Sequence, residues 1–174
     1  MKILILGAGR VGSSLASTLS KQQYEVSIVD LNKNRLQRLQ EDLDLATEVG
    51  HGSYPSTLKK AGADEETILL AVTNSDECNI TSCQIAKSEF NVKKTICRLS
   101  DASYLDSLSA FGENNIDIAI SPENEVTEHL VDLIKHPGAE QIESFANGSI
   151  KVVSVKAKKD CLLYTSPSPR DETK

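Results

Sequence analysis

The residues best suited to chemistry stand at the start of the chain. Gly7-Ala8-Gly9-Arg10-Val11-Gly12 reads G-x-G-x-x-G, and Asp30 follows 18 residues after Gly12. Glycines at this spacing serve a phosphate. The first permits a tight turn, the second lets a pyrophosphate approach the backbone with no Cβ in the way, and the third lets a helix pack closely on a strand. An acid about 20 residues further on accepts hydrogen bonds from an adenosine ribose. A carboxylate at Asp30 repels a ribose 2′-phosphate, so NAD or another adenine nucleotide is expected over NADP. Lys33 and Arg35 lie just beyond and soften that preference, although both are expected on the solvated face of the next helix.

These residues work only if the elements around them are right. Lys2 to Leu6 (K-I-L-I-L) is a short apolar run ending at Gly7, and Val11, Leu15, Ala16 and Leu19 recur at helical spacing. A second apolar run, Val26 to Val29, ends at Asp30. The order strand, glycine turn, helix, strand, acid is a βαβ unit, and it makes the glycine pattern far more specific than it would be alone. The helix start presents free N–H groups and a partial positive charge to the phosphates.

The pattern continues along the chain. Asn32 is expected to cap a helix carrying Leu36, Leu39 and Leu43. A short strand follows at Leu45 to Val49. Pro55 suits the first turn of a helix reaching Ala61, and Gly62 suits its end. The near-continuous apolar run Thr67 to Val72 reads as a central parallel strand. Thr73, Asn74, Ser75 and Asp76 then form a polar turn before a helix with Ile80, Cys83, Ile85 and Ala86 inward. Lys94 to Leu99 is a fifth strand, Asp101 caps a helix through Tyr104, Leu105, Leu108 and Phe111 that stops at Gly112, and Ile116 to Ile120 is a sixth strand.

Six strands alternating with helices predict a doubly wound, parallel Rossmann-type α/β sheet. Ligands in such sheets sit beyond the carboxyl ends of the strands, where strand order reverses. That groups Gly7 to Gly12, Asp30, His51 to Ser53 and Thr73 to Asp76 around one crevice, with Arg98 at the end of the fifth strand. Asn74 and Asp76 fit a plain turn and cap equally well, and Arg98 a surface ion pair.

Pro122 opens a further helix, Glu123 to His136, with Val126, Leu130, Leu133 and Ile134 on one stripe. The sheet is already complete, so this stripe calls for a second copy or a following domain as its cover. Gln141 to Phe145 and Ile150 to Val155, around Asn147-Gly148, read as a β-hairpin opening a small β-containing lobe. Cys161 to Lys174, with two Ser-Pro steps, reads as a disordered or non-native tail.

Bulk composition excludes several classes. The 174 residues are 39% hydrophobic and 25% charged, with net charge −6. The longest apolar runs are about five residues, against the roughly 20 that cross a bilayer. The N-terminus begins directly in a strand, so no secretion signal is expected. Basic residues are scattered, which argues against a nucleic-acid partner. Cys78, Cys83, Cys97 and Cys161 form no C-x-x-C pair and are expected as reduced, mostly buried thiols. With His51, His129 and His136 dispersed, no metal site is expected.

The residues resemble the regulator-of-potassium-conductance (KTN, or RCK) N-terminal domain of bacterial Trk potassium-uptake proteins, from Met1 to about Lys159. The likeness rests on K-I-L-I-L-G-A-G-R-V-G, on G-H-G-S-Y-P-S-T-L from Gly50, and on A-V-T-N-S-D-E from Ala71. Asn79, Ala86-Lys87, I-S-P-E at Ile120 to Glu123, T-E-H-L and H-P-G-A add to it. It implies a nucleotide-binding domain over 1–122, a crossover helix over 123–138, the start of a C-terminal lobe over 139–160 and the tail over 161–174. It also implies that Gly7, Gly9, Gly12 and Asp30, with the intervening Ala8, Arg10 and Val11, bind NAD(H), or ATP or ADP. Gly52, Ser53, Thr73, Asn74 and Arg98 would complete that site. The implied role is a nucleotide-sensing cytoplasmic regulatory subunit, peripheral to the inner membrane. Its implied partner is an integral-membrane Trk-type potassium transporter subunit, and its implied assembly a homodimer or higher ring-like oligomer. The alternative is an NAD-dependent dehydrogenase. That reading needs an acid or base facing the nicotinamide. Tyr54 and Lys59 are wrongly spaced for a Tyr-x-x-x-Lys pair, and no substrate domain stands out.

Overall fold

The computed structural model describes residues 1–107, 116–145 and 150–156. They form a first compact unit, Met1–Pro122, and a second that begins at Glu123. Parts of the expected elements lie outside the described residues: Leu108, Phe111 and Gly112, the Asn147-Gly148 turn, and the Cys161 to Lys174 tail.

In the first unit, strands β1 (Lys2–Leu6), β2 (Glu25–Asp30), β3 (Ala46–Val49), β4 (Thr67–Ala71), β5 (Lys94–Arg98) and β6 (Ile118–Ile120) alternate with helices. Those helices are α1 (Arg10–Lys21), α2 (Lys33–Asp42), α3 (Pro55–Lys60), α4 (Asp76–Phe90) and α5 (Ala102–Asp106). All strand pairs are parallel, in the order β3-β2-β1-β4-β5-β6. The order reverses between β1 and β4, so a crevice opens beside the carboxyl end of β1.

The period-two alternation of β1 explains the layering. Ile3 and Ile5 point to one face and join Ala16 of α1, Val26, Ile28 and Leu36 of α2. Leu4 and Leu6 point to the other and join Leu58 of α3, Leu69, and Ile80, Cys83 and Ala86 of α4. Cys83 and Cys97 are fully buried. A hydrogen bond with Cys97, then burial, pushes the Cys83 thiol well above its ordinary value. The Cys83 thiol is therefore a packed, protonated core group, and Cys97 is buried beside it.

The helix signals operate as physical chemistry requires. The Asn32 side chain accepts from the amides of Asn34 and Arg35, and the Ser75 hydroxyl accepts from the Cys78 amide. Pro55 occupies the first turn of α3, and Gly62 after it has φ +86°. The sixth strand differs from expectation: it starts at Ile118, not Ile116. The Asp117 carboxylate accepts from the Thr95 amide at 2.6 Å, replacing a strand partner there. Burial raises the Asp117 pKa, but Lys87 at 2.8 Å and Thr95 outweigh it and hold the carboxyl below its ordinary 3.8.

The second unit contains α6 (Pro122–Lys135, its first residue belonging to the first unit) and the antiparallel pair β7 (Ala139–Phe145) and β8 (Ile150–Val155). Lys151 on β8 reaches Asp132 on α6 at 2.6 Å, and Ser144 donates to the same carboxylate. The apolar stripe stays in water: Val126 is 59%, Leu130 54% and Ile134 77% exposed. Leu133 is half-buried, and Ile142 is the buried hydrophobic residue of this unit among the described residues.

Candidate functional site

A cleft of about 620 Å³ lies at the carboxyl ends of β1, β2, β4 and β5. Its wall begins with the glycine turn. Gly7 has φ +101°, and a Cβ there would meet Thr73 Cα at 3.0 Å, so turn and close approach both demand glycine. At Gly12 a Cβ would lie 1.8 Å from the Gly7 carbonyl oxygen, which is what lets α1 dock on β1. Gly9 is different: a Cβ there would meet nothing within 4 Å. Packing does not require glycine at position 9, and the space beside it belongs to the cleft.

The start of α1 is suited to an anion. Gly9 caps it with no side-chain hydrogen bond, whereas Asn32 and Ser75 cap α2 and α4. First-turn N–H groups of α1 are therefore left for another acceptor, with the helix dipole behind them. Arg10 and Val11 line the cleft at this point. Ala8 does not line it. It is buried, and its amide donates to Asp30 Oδ2 at 2.6 Å.

Asp30 lines the cleft at the end of β2 with a second task. Its Oδ1 accepts from the Asn32 amide at 2.7 Å, so the carboxylate ties the glycine turn to the cap of α2. Each oxygen keeps further acceptor capacity for a ribose hydroxyl. Arg35 was expected on a solvated face. Its side chain is 57% exposed, yet its Nη1 lies 4.0 Å from Asp30 Oδ2 and it lines the cleft, because the first turn of α2 follows directly on β2.

The β3–α3 segment brings Gly52 and His51 to the cleft, but not Ser53. The Ser53 hydroxyl is turned onto His51 Nδ1 at 2.8 Å, and the Ser53 amide donates to the same atom at 3.4 Å. An amide can only donate, so Nδ1 is the acceptor of that contact. Ser53 thus orients the imidazole, which also stacks on Tyr54 with centroids 5.1 Å apart. A Cβ on Gly52 would meet Leu6 Cδ1 at 3.2 Å, so this glycine lets the loop lie against β1.

Thr73, Asn74 and Arg98 all line the opposite wall. The residue that assembles it is Asn79, fully buried on α4. Its Oδ1 accepts from the Thr73 amide at 3.0 Å and hydroxyl at 2.7 Å, and its Nδ2 donates to the carbonyls of Thr73 and Arg98. The Arg98 guanidinium in turn reaches the Thr73 carbonyl at 3.5 Å. Asp76 accepts from the amides of Ser100 and Asp101. Sequence reasoning gave neither residue this bridging role. The available signal was a polar side chain on the inward stripe of α4, beside Ile80 and Cys83. Cys78, Leu31 and Asn32 also line the cleft without having been expected there. Among the described residues no cluster of His, Cys, Asp and Glu could hold a metal ion, and no helix is long and apolar enough to cross a membrane.

Comparison with known proteins agrees with this architecture. The TrkA-N domain matches residues 3–122. The Trk system potassium uptake protein TrkA of Halomonas elongata is 43% identical over 159 residues, 90% of this chain and 35% of that protein. The protein of the same name from Vibrio alginolyticus is 42% identical over 160 residues, again 90% and 35%. The chain therefore spans about a third of the length of these relatives. Among solved structures, the TrkA-N domain of the inner membrane protein ybaL from Escherichia coli superposes with TM-score 0.64 at 18% identity, over 76% of this chain and 96% of that one. The GsuK channel bound to NAD gives 0.59 at 17% identity, over 75% and 23%. Both show the shared fold. With the family matched over the whole sheet and cleft, the chain belongs to the TrkA-N domain family.

Proposed function

We propose that the cleft binds an adenine nucleotide, NAD(H) or ATP or ADP, and that the chain is the nucleotide-sensing part of a potassium-uptake regulator. The observation that carries this is Gly9. It sits between two glycines fixed by packing, yet packing asks nothing of it, and it opens the cleft at the uncapped start of α1. Phosphates fill that space, Asp30 receives ribose hydroxyls, and Thr73, Asn74 and Arg98 close the far side. Ser53 acts through His51. Solved relatives of this fold include GsuK bound to NAD and GsuK bound to ADP, which supports the nucleotide class. The names of the sequence relatives support the link to potassium uptake.

Regulation then follows from differential affinity. Nucleotide shifts the population of paired domains toward the arrangement it binds better, and an attached integral-membrane Trk-type transporter reads that shift. Pairing is assigned to the exposed stripe of α6, with a second copy of this chain as its cover in a two-fold contact. The subunit works at the cytoplasmic face of the inner membrane.

Calorimetric titration with NADH, NAD, ATP and ADP tests the reading. Binding of at least one is expected, with loss in Gly9→Val, whose branched side chain fills the phosphate space. Retained binding in that variant overturns the placement of the pyrophosphate. Sustained NADH oxidation with a panel of carbonyl substrates would replace the regulatory reading by the dehydrogenase.

A further inference from the structure

Asn79 is polar at a place where the packing of α4 alone would take an apolar side chain. It is fully buried, among Ile80, Cys83 and Ala86 on the inward stripe of the helix. A buried amide is costly unless its polar atoms find partners. The partners it finds belong to two residues that line the cleft, Thr73 and Arg98.

Their chemistry fixes the direction of the amide. The carbonyls of Thr73 and Arg98, at 3.2 and 2.9 Å, only accept, so they face Nδ2. The Thr73 backbone N–H only donates, at 3.0 Å, so it faces Oδ1. The Thr73 hydroxyl, 2.7 Å from the same Oδ1, is then the donor of that contact. The Ser75 carbonyl, 3.2 Å from the hydroxyl, can only compete for the same proton, and the Ser75 amide donates to the hydroxyl oxygen at 3.2 Å. Thr73 therefore lines the cleft with its hydroxyl proton already committed inside the protein.

We propose that Asn79 is a positioning residue of the cleft. Without touching the ligand, it holds the backbone and hydroxyl of Thr73 and the backbone at Arg98 in the arrangement that a nucleotide binds. The same network sets a rule of recognition: a ligand meets Thr73 by shape or with a donor of its own, and a phosphate receives no hydrogen bond from that hydroxyl. The proposal rests on the nucleotide reading of the cleft.

Asn79→Asp tests it, because the new carboxyl can be switched with pH. Ionised, it still accepts from the Thr73 amide and hydroxyl but turns an anion toward two carbonyl oxygens. Protonated, it regains a donor for one of them. Burial favours the protonated form, so the switch is expected at or above neutral pH. Calorimetric titration with NADH, NAD, ATP and ADP, on a variant that circular dichroism shows to be folded, should find binding about tenfold weaker than wild type near pH 8, with the ratio narrowing toward about pH 6. The wild type carries the same Asp76, His51 and Arg98 and is the control for their titration. A second reading needs no variant: in the wild type, bound nucleotide should slow hydrogen exchange of the Thr73 amide several-fold. Wild-type affinity in the variant, or a loss that is the same at both pH values, overturns the positioning role and spares the nucleotide site. If the variant does not fold, Thr73 exchange unchanged by bound nucleotide overturns it instead. Absence of binding of all four nucleotides to the wild type overturns both readings.

Discussion

The two compact units differ in what they do with their apolar residues. In the first, β1 sends alternate side chains to opposite faces, and helices cover both, so Leu4, Ile5, Leu6 and Ile28 are excluded from water. In the second, α6 and the β7–β8 pair leave Val126, Leu130, Ile134, Phe145, Ile150, Val152 and Val155 exposed. Full burial of each aliphatic side chain is worth about 1.5–3 kcal/mol, so this surface forgoes a large stabilisation while uncovered. The lesson is one of autonomy. The cleft proposed to take a nucleotide is built entirely within the unit that closes its own core, and the surface proposed for pairing is carried by the one that does not.

The largest expected effect breaks the self-sufficient unit. Gly12→Val places side-chain atoms where the Gly7 carbonyl oxygen already lies, and α1 cannot dock without a backbone shift. A loss of about 3 kcal/mol or more is expected from such overpacking, read as a lower denaturant midpoint. An unchanged midpoint would mean that the contact can be relieved. Next, Leu130→Asp puts a charge on the exposed stripe of α6. Sedimentation should find the wild type dimeric and the variant monomeric, with nucleotide affinity intact. A monomeric wild type, or a variant that still pairs, would remove α6 from the interface.

Asp30→Ala acts inside the cleft alone. Loss of charge-assisted acceptors should weaken NAD(H) by about 1.5–3 kcal/mol, measured by calorimetry. Because Asp30 also holds the Ala8 amide, part of that loss reflects a loosened glycine turn. Asp30→Asn, which keeps an acceptor, should restore some of the affinity. Undiminished affinity in Asp30→Ala would exclude the ribose contact. The smallest effect is at Asp117→Asn, which removes the ion pair to Lys87 at the β6 edge. Both side chains are half-buried, and such a pair at the sheet edge contributes on the order of 1 kcal/mol. The Asp117 pKa is depressed in the folded state, so its contribution is present above its unfolded value and lost as pH falls through the folded one. Wild type and variant should differ at neutral pH and converge in acid, as pH falls through a folded value that lies below 3.8. A difference that persists in acid would point to packing instead of charge.

What could be read in advance follows the same divide. The βαβ unit, the turn at Gly7, the helix packing at Gly12 and the place of Asp30 at the end of β2 were legible because each rests on local rules: period-two alternation, helical recurrence and a fixed turn. Most element boundaries shifted by a residue or two. The direction of the Ser53 side chain was not legible, because the choice between facing the cleft and facing His51 is a side-chain rotation, on which spacing is silent. Asn79 escaped because its four hydrogen bonds join segments distant in sequence, and a polar residue in a helix usually means only exposure.

Asp76 and Asn79 stand one helical turn apart on α4, and both hold the end of β5, Asn79 holding that of β4 as well. Asn79 holds Thr73 and the Arg98 carbonyl, while Asp76 holds the amides that open α5. The far wall of the cleft therefore has no independent parts. A pull on Thr73 is also a pull on Arg98, and through α4 on the segment at Ser100 and Asp101. Mechanically, α4 is a handle: through Asn79 and Asp76 it ties the ends of the neighbouring strands β4 and β5 to one helix.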